Sequence, residues 1–104
     1  MTAQAARVEE AINIMHSNHY KKAHDNVLAL EELHDGATIT INAKELELLK
    51  FLVTDRIGHE HEVWYEVTHD ELQDVNSMAY ELASCTLRED RLHRLLGKLY
   101  RENT

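Results

Sequence analysis

No proline occurs anywhere in the 104 residues, and there are only three glycines, Gly36, Gly58 and Gly97. Proline is the residue that both removes a backbone donor and clashes with the preceding turn, so nothing here forces a break inside a helix. Two of the glycines, Gly36 and Gly58, fall where helical patterns stop. Helix can therefore run long in this chain, and the apolar spacing predicts where.

From Ala3 to about Leu33 the apolar positions Val8, Ile12, Met15, Ala23, Val27, Leu30 and Leu33 recur at steps of three and four, close to a heptad seam. His19 and Tyr20 weaken the seam, and Ser17-Asn18 is a point of kinking or division. A helix over 1–35 would overhang a remainder of about 70 residues, so these seven residues are expected to form an oligomerisation arm. Asp35-Gly36 should close it, with Gly36 in the left-handed position that suits a helix end. Thr38-Ile39-Thr40-Ile41 alternates polar and β-branched residues and predicts a short strand. Asn42 and Glu45 stand at capping-box spacing and should open a helix with Leu46, Leu49, Leu52, Val53 and Ile57 inward and Gly58 at its end.

Glu62-Val63-Trp64-Tyr65-Glu66-Val67 alternates again and predicts a second strand, with Trp64 on its polar face. Thr68 with Glu71 has the spacing of a capping box and should open a helix with Leu72, Val75, Met78, Ala79 and Leu82 inward. Thr86 with Glu89 repeats the signature before Leu92, Leu95, Leu96 and Leu99, and this last helix can also run on from the previous one. The expected fold is mostly α, with a minor α+β character. A long N-terminal helix precedes a helical core over 37–104 that carries two short strands, and the whole forms a single domain over 1–104.

The charge is unevenly placed. The formal net charge is −8, yet residues 86–104 are net positive, through Arg88, Arg91, Arg94, Lys98 and Arg101. Between Ile57 and Leu87 there is no lysine or arginine, while Glu60, Glu62, Glu66, Asp70, Glu71, Asp74 and Glu81 all fall there. A surface of one sign attracts basic partners and repels phosphate backbones. The alternative is that these are solvated acids, some of them serving helix starts. The basic residues of the last helix form a stripe opposite its leucines, but five cations without interleaved aromatics make a poor nucleic-acid footprint.

Chemistry-bearing motifs are scarce. Eight histidines are many for this length, and His16, Tyr20 and His24 share one helical face, yet no spacing of three or four convergent ligands is evident. Their full protonation would cancel the formal charge. Cys85 is the only cysteine, so no internal disulfide can form and a reducing compartment, the cytoplasm, is expected. Its helical setting reads as a small core residue rather than a nucleophile. No catalytic residue, metal site or cofactor is expected. No apolar stretch approaches the ~20 residues of a membrane span.

The run Ala37-Thr-Ile-Thr-Ile-Asn-Ala-Lys-Glu-Leu-Glu-Leu-Leu-Lys-Phe-Leu, with the later Leu92-His-Arg-Leu-Leu-Gly-Lys-Leu-Tyr, resembles a design among small bacteriophage and prophage accessory proteins. The resemblance covers roughly residues 37–57 and 90–100. It implies a protein that binds and modulates a host protein. The expected role is a non-enzymatic interaction module, an inhibitor of phage-accessory type. It would present Glu60, Glu62, Trp64, Glu66, Asp70, Glu71 and Asp74 to a basic site on another protein while self-associating through the first helix. Two other classes stay open: a histidine-based metal or small-ligand binder, and a nucleic-acid-associated regulator using the last helix.

Overall fold

A computed structural model describes residues 2–33, 36 and 38–101. Among them are four α-helices, α1 (Ala3–Met15), α2 (Asn18–Leu33), α3 (Ala43–Thr68) and α4 (Val75–Arg101). The expectation of a mostly α fold holds, but neither short strand is present among the described residues. Thr38–Ile41 is irregular, with Ile39 exposed and no second strand beside it to pair with. Glu62–Val67 lies inside α3.

α3 shows why helix wins over strand. Its buried residues Leu46, Lys50, Val53, Ile57, Glu60 and Val67 recur at steps of four and three, with half-buried Trp64 in the same register. That is a heptad seam. α4 answers with Met78, Leu82 and Cys85 buried and Glu89, Leu92, Leu96 and Leu99 half-buried at the same steps. The two helices form an antiparallel hairpin, with Glu60 against Arg88 near its middle and Lys50 4.5 Å from the Tyr100 ring toward its open end. Gly58 does not end the helix. In a helix interior glycine costs only about 1 kcal/mol relative to alanine, less than breaking this seam would.

Asn42 opens α3 as expected. Its side chain accepts from Glu45 N at 2.8 Å, and the Glu45 carboxylate accepts from Asn42 N at 2.9 Å. The box expected at Thr68 and Glu71 is absent: Thr68 ends α3, its hydroxyl donating back to the Trp64 carbonyl at 2.9 Å. Asp74 caps α4 instead, accepting from Ser77 N at 2.9 Å. Thr86 lies within α4, which runs unbroken through it.

The long first helix is divided at Ser17, where the Ser17 carbonyl restarts the ladder by accepting from Lys21 N. The helix end expected around Asp35-Gly36 is only partly within the described residues, since Asp35 lies outside them. Gly36 does not adopt a positive φ, so the left-handed cap is not formed there. α1 and α2 run parallel to α4. Gln4 bonds the Thr68 carbonyl at the closed end of the hairpin, Met15 meets Thr86, and Glu31 and Glu32 pair with Arg91 and Arg94. Ala11, Met15, Val67, Met78, Ala79 and Leu82 form the core, with Val8, Ile12, Val63 and Trp64 packed on it. The result is a slender up-down-up bundle of 51 × 27 × 18 Å. Its radius of gyration is 16.8 Å, against about 13 Å for a compact chain of this size.

Candidate functional site

The cation-free stretch folds into one end of the molecule: the last turns of α3, the 69–74 tip, and the first turns of α4. Glu62, Glu66, Asp70, Glu71 and Asp74 are all exposed there. Leu72, expected on an inward helical face, is instead 97% exposed at the tip, because α4 begins only at Val75, and Tyr65, stacked on His69 at 3.9 Å, is 62% exposed. Singly exposed apolar side chains are common on protein surfaces, so it is the carboxylates around them that set this end apart. Asp74 is held below the ordinary carboxylate range, chiefly by hydrogen bonds from the Ser77 backbone and hydroxyl, so it stays charged in mild acid.

Two residues expected on this surface lie elsewhere. Trp64 does not stand exposed among the acids; it is half-buried against the core, because position 64 falls on the seam once residues 62–67 are helical. Glu60 is fully buried. Its carboxylate accepts from Arg88 Nε through both oxygens, at 3.0 and 3.1 Å, with Arg56 3.4 Å away. Burial pushes this carboxyl up, but the Arg88 hydrogen bonds, the Cys85 thiol and the two guanidinium charges outweigh it and hold it below its ordinary value. Glu60 is therefore a structural anion inside the hairpin, out of a partner's reach.

The sequence also hides where the arginines go. Arg88 and Arg56 are engaged with Glu60, and Arg91 and Arg94 with Glu31 and Glu32 of α2. None of these four neutralises the tip. At the tip the Arg7 guanidinium donates to the Glu71 carbonyl at 2.9 Å and to the Gln4 side chain, both uncharged acceptors, and His59 lies 4.0 Å from Glu62. The basic stripe of α4 is thus largely occupied by internal carboxylates. With Lys98, Leu92 and Leu95 it lines a groove of about 520 Å³.

The proposed oligomerisation residues divide. Met15 is buried and Val8 and Ile12 are half-buried in the core of this one chain, so they are not available as a seam to another. On α2, Val27 is half-buried, whereas Ala23, Leu30 and Leu33 are exposed. His16, His19 and His24 gather beside Tyr80 and Leu87 in a groove of about 750 Å³ between the α1–α2 elbow and α4. His24 Nε2 lies 2.8 Å from an Asp90 oxygen. Among the described residues no three His, Cys, Asp or Glu side chains are placed to hold a metal ion. Cys85 is buried, its thiol donating to the Glu60 carbonyl at 3.1 Å. Burial, then the adjoining Glu60, push it up to about 11, which keeps it a thiol rather than a thiolate. No described helix is long and apolar enough to cross a membrane. Comparison with protein-family models, with curated proteins and with solved structures gives no match.

Proposed function

We propose that the chain is a non-enzymatic interaction module that docks its acidic tip on a basic site of another protein and thereby modulates or inhibits that protein. This keeps the phage-accessory reading of the sequence. It narrows the docking surface to Glu62, Glu66, Asp70, Glu71 and Asp74 around exposed Tyr65 and Leu72. The observation that carries the reading is that Arg56, Arg88, Arg91 and Arg94 pair with Glu60, Glu31 and Glu32, while among the described residues the exposed Glu66, Asp70, Glu71 and Asp74 have no ion-pair partner and Glu62 has only His59, 4.0 Å away. Such an arrangement raises the encounter rate with a cationic surface and sets register, and Leu72 supplies a contact that survives salt.

The test is co-purification from native lysate, with a salt series and charge reversal. The captured protein should be released as salt rises. Glu66→Lys combined with Asp70→Lys should weaken capture at least about tenfold, roughly 1.4 kcal/mol, while Glu31→Lys on distant α2 should not. Unchanged capture by the tip variant would dispose of the reading. A small-ligand role is favoured only by the histidine-lined groove under the α1–α2 elbow.

A further inference from the structure

α2 is held to the bundle differently from the other three helices. α1, α3 and α4 each bury residues, whereas none of the 16 residues of α2 is buried. Tyr20, His24, Val27 and Leu28 are half-buried, and Ala23, Leu30 and Leu33 are exposed. Grooves of about 750 and 520 Å³ open beside it, so it stands off α4 rather than packing into it. What spans the gap is polar. His24 meets Asp90, Glu31 meets Arg91, Glu32 meets Arg94, and the Arg94 guanidinium donates to the Leu28 carbonyl at 3.5 Å.

The charges of α2 are also set against its own dipole. Acids stabilise the first turn of a helix and bases the last. α2 has no acid in its first turn and no base in its last. Lys21 and Lys22 stand near its start instead, and Glu31 and Glu32 at its end. Helices of this length draw most of their stability from packing, and α2 packs little. Glu31 and Glu32 therefore destabilise α2 alone and stabilise it only when Arg91 and Arg94 lie across from them. The helix follows the break at Ser17, and the described residues 38–42 beyond it form no helix or strand.

We propose that α2 is a charge-held latch on α4. Its helix persists while Glu31 and Glu32 engage Arg91 and Arg94; when those pairs are broken it melts and comes away from Ser17 onward. The residues of the core cluster all lie in α1, α3 and α4, so the release is local. It changes the face that α2 covered: Arg91 and Arg94 lose their carboxylates and, with Lys98 one turn further on, become a row of uncompensated cations. The chain thus carries an acidic cover for its own basic stripe. The tip takes no part in this, so the latch stands whether or not the tip docks on a basic partner.

Hydrogen exchange read by mass spectrometry, on the parent chain at about 0.05 M and about 1 M salt, tests the latch. Charges are screened beyond about 3 Å at the higher salt, so α2 amides should exchange at least about fivefold faster there. Those of α1, α3 and α4 should change by less than about twofold. Glu31→Arg with Glu32→Arg corrects the dipole of α2 but sets like charges against Arg91 and Arg94. In that chain α2 should exchange fast already at low salt, and Arg91 and Arg94 should react faster than in the parent with a dicarbonyl reagent. Adding Arg91→Glu and Arg94→Glu should restore slow exchange. An α2 whose exchange ignores salt, an acceleration shared equally by every helix, or a charge-swapped chain that stays fast would each overturn the proposal. So would Arg91 and Arg94 that react no faster when Glu31 and Glu32 are replaced.

Discussion

Replacing Arg88 by methionine tests the reading of the hairpin interior most directly. The Glu60 carboxylate would stay in place, fully buried, with only Arg56 left at 3.4 Å, on a side chain that is 56% exposed. Removing one partner of a fully buried ion pair costs about 3–5 kcal/mol, because the other charge is left uncompensated. Arg88 is itself 43% exposed, so solvent screens part of the pair and the expected loss is about 1.5–3 kcal/mol. Glu60→Leu should behave differently. It joins Ile57 to Trp64 in an unbroken apolar seam and frees Arg88 to turn outward, so it should be neutral or stabilising. In that background Arg88→Met should cost little, leaving a coupling of about 1.5–3 kcal/mol between the two sites. Urea unfolding at neutral pH measures all four chains. The single variant's midpoint should fall with an unchanged slope, and its melting temperature should drop by about 4–8 °C per kcal/mol lost. A coupling below about 0.5 kcal/mol, within the scatter of independent sites, would mean that Glu60 is not held by Arg88 in the way described.

The same carboxylate sets a pH dependence. Its folded value lies below its ordinary 4.5, so its stabilisation is complete above that value and is lost as pH falls through the folded one. The urea midpoint should therefore decline on acidification below about pH 4.5, and Glu60→Gln should flatten that decline. The Cys85 thiol, buried and pushed up to about 11, should react with a thiol reagent at pH 8 far more slowly in the folded chain than in urea. Equal rates in the two states would place it at the surface.

Much of the architecture was legible, and the parts that were not share a cause. The division at Ser17-Asn18, the Asn42–Glu45 cap and the half-buried Leu92, Leu96 and Leu99 follow from local chemistry, which the sequence displays directly, whereas Leu95, expected on the same face, is exposed. The strand expected at Glu62–Val67 did not form because its alternation of β-favouring residues competes with a seam running Leu46, Lys50, Val53, Ile57, Glu60, Trp64 and Val67. Two of those seven are charged, and Gly58 sits beside them, so the heptad is invisible to a count of apolar residues. Tertiary partners, Arg88 for Glu60 and the Tyr100 ring for Lys50, make both positions tolerable. The same blindness placed Trp64 on the surface. At Thr68 and Glu71 the capping spacing was real, but Asp74 with Ser77 was the better cap, and no local rule ranks the two. The cation-free character of 57–87 was plain in the sequence. That the arginines beyond it turn to Glu60, Glu31 and Glu32 depended on how α2 lies along α4.

That path of the chain has a consequence for synthesis. α3 and α4 are neighbours in sequence and can zip together as soon as both exist, but α1 is made before both and packs chiefly on α4. Met15 waits 71 residues for Thr86, which at ribosomal speeds is roughly 4–14 s. Throughout that interval Val8, Ala11, Ile12 and Met15 are an uncovered apolar strip on a nascent helix, an invitation to chaperones. α1 thus waits for a helix made well after it, and truncation anywhere before the middle of α4 would leave it without that partner.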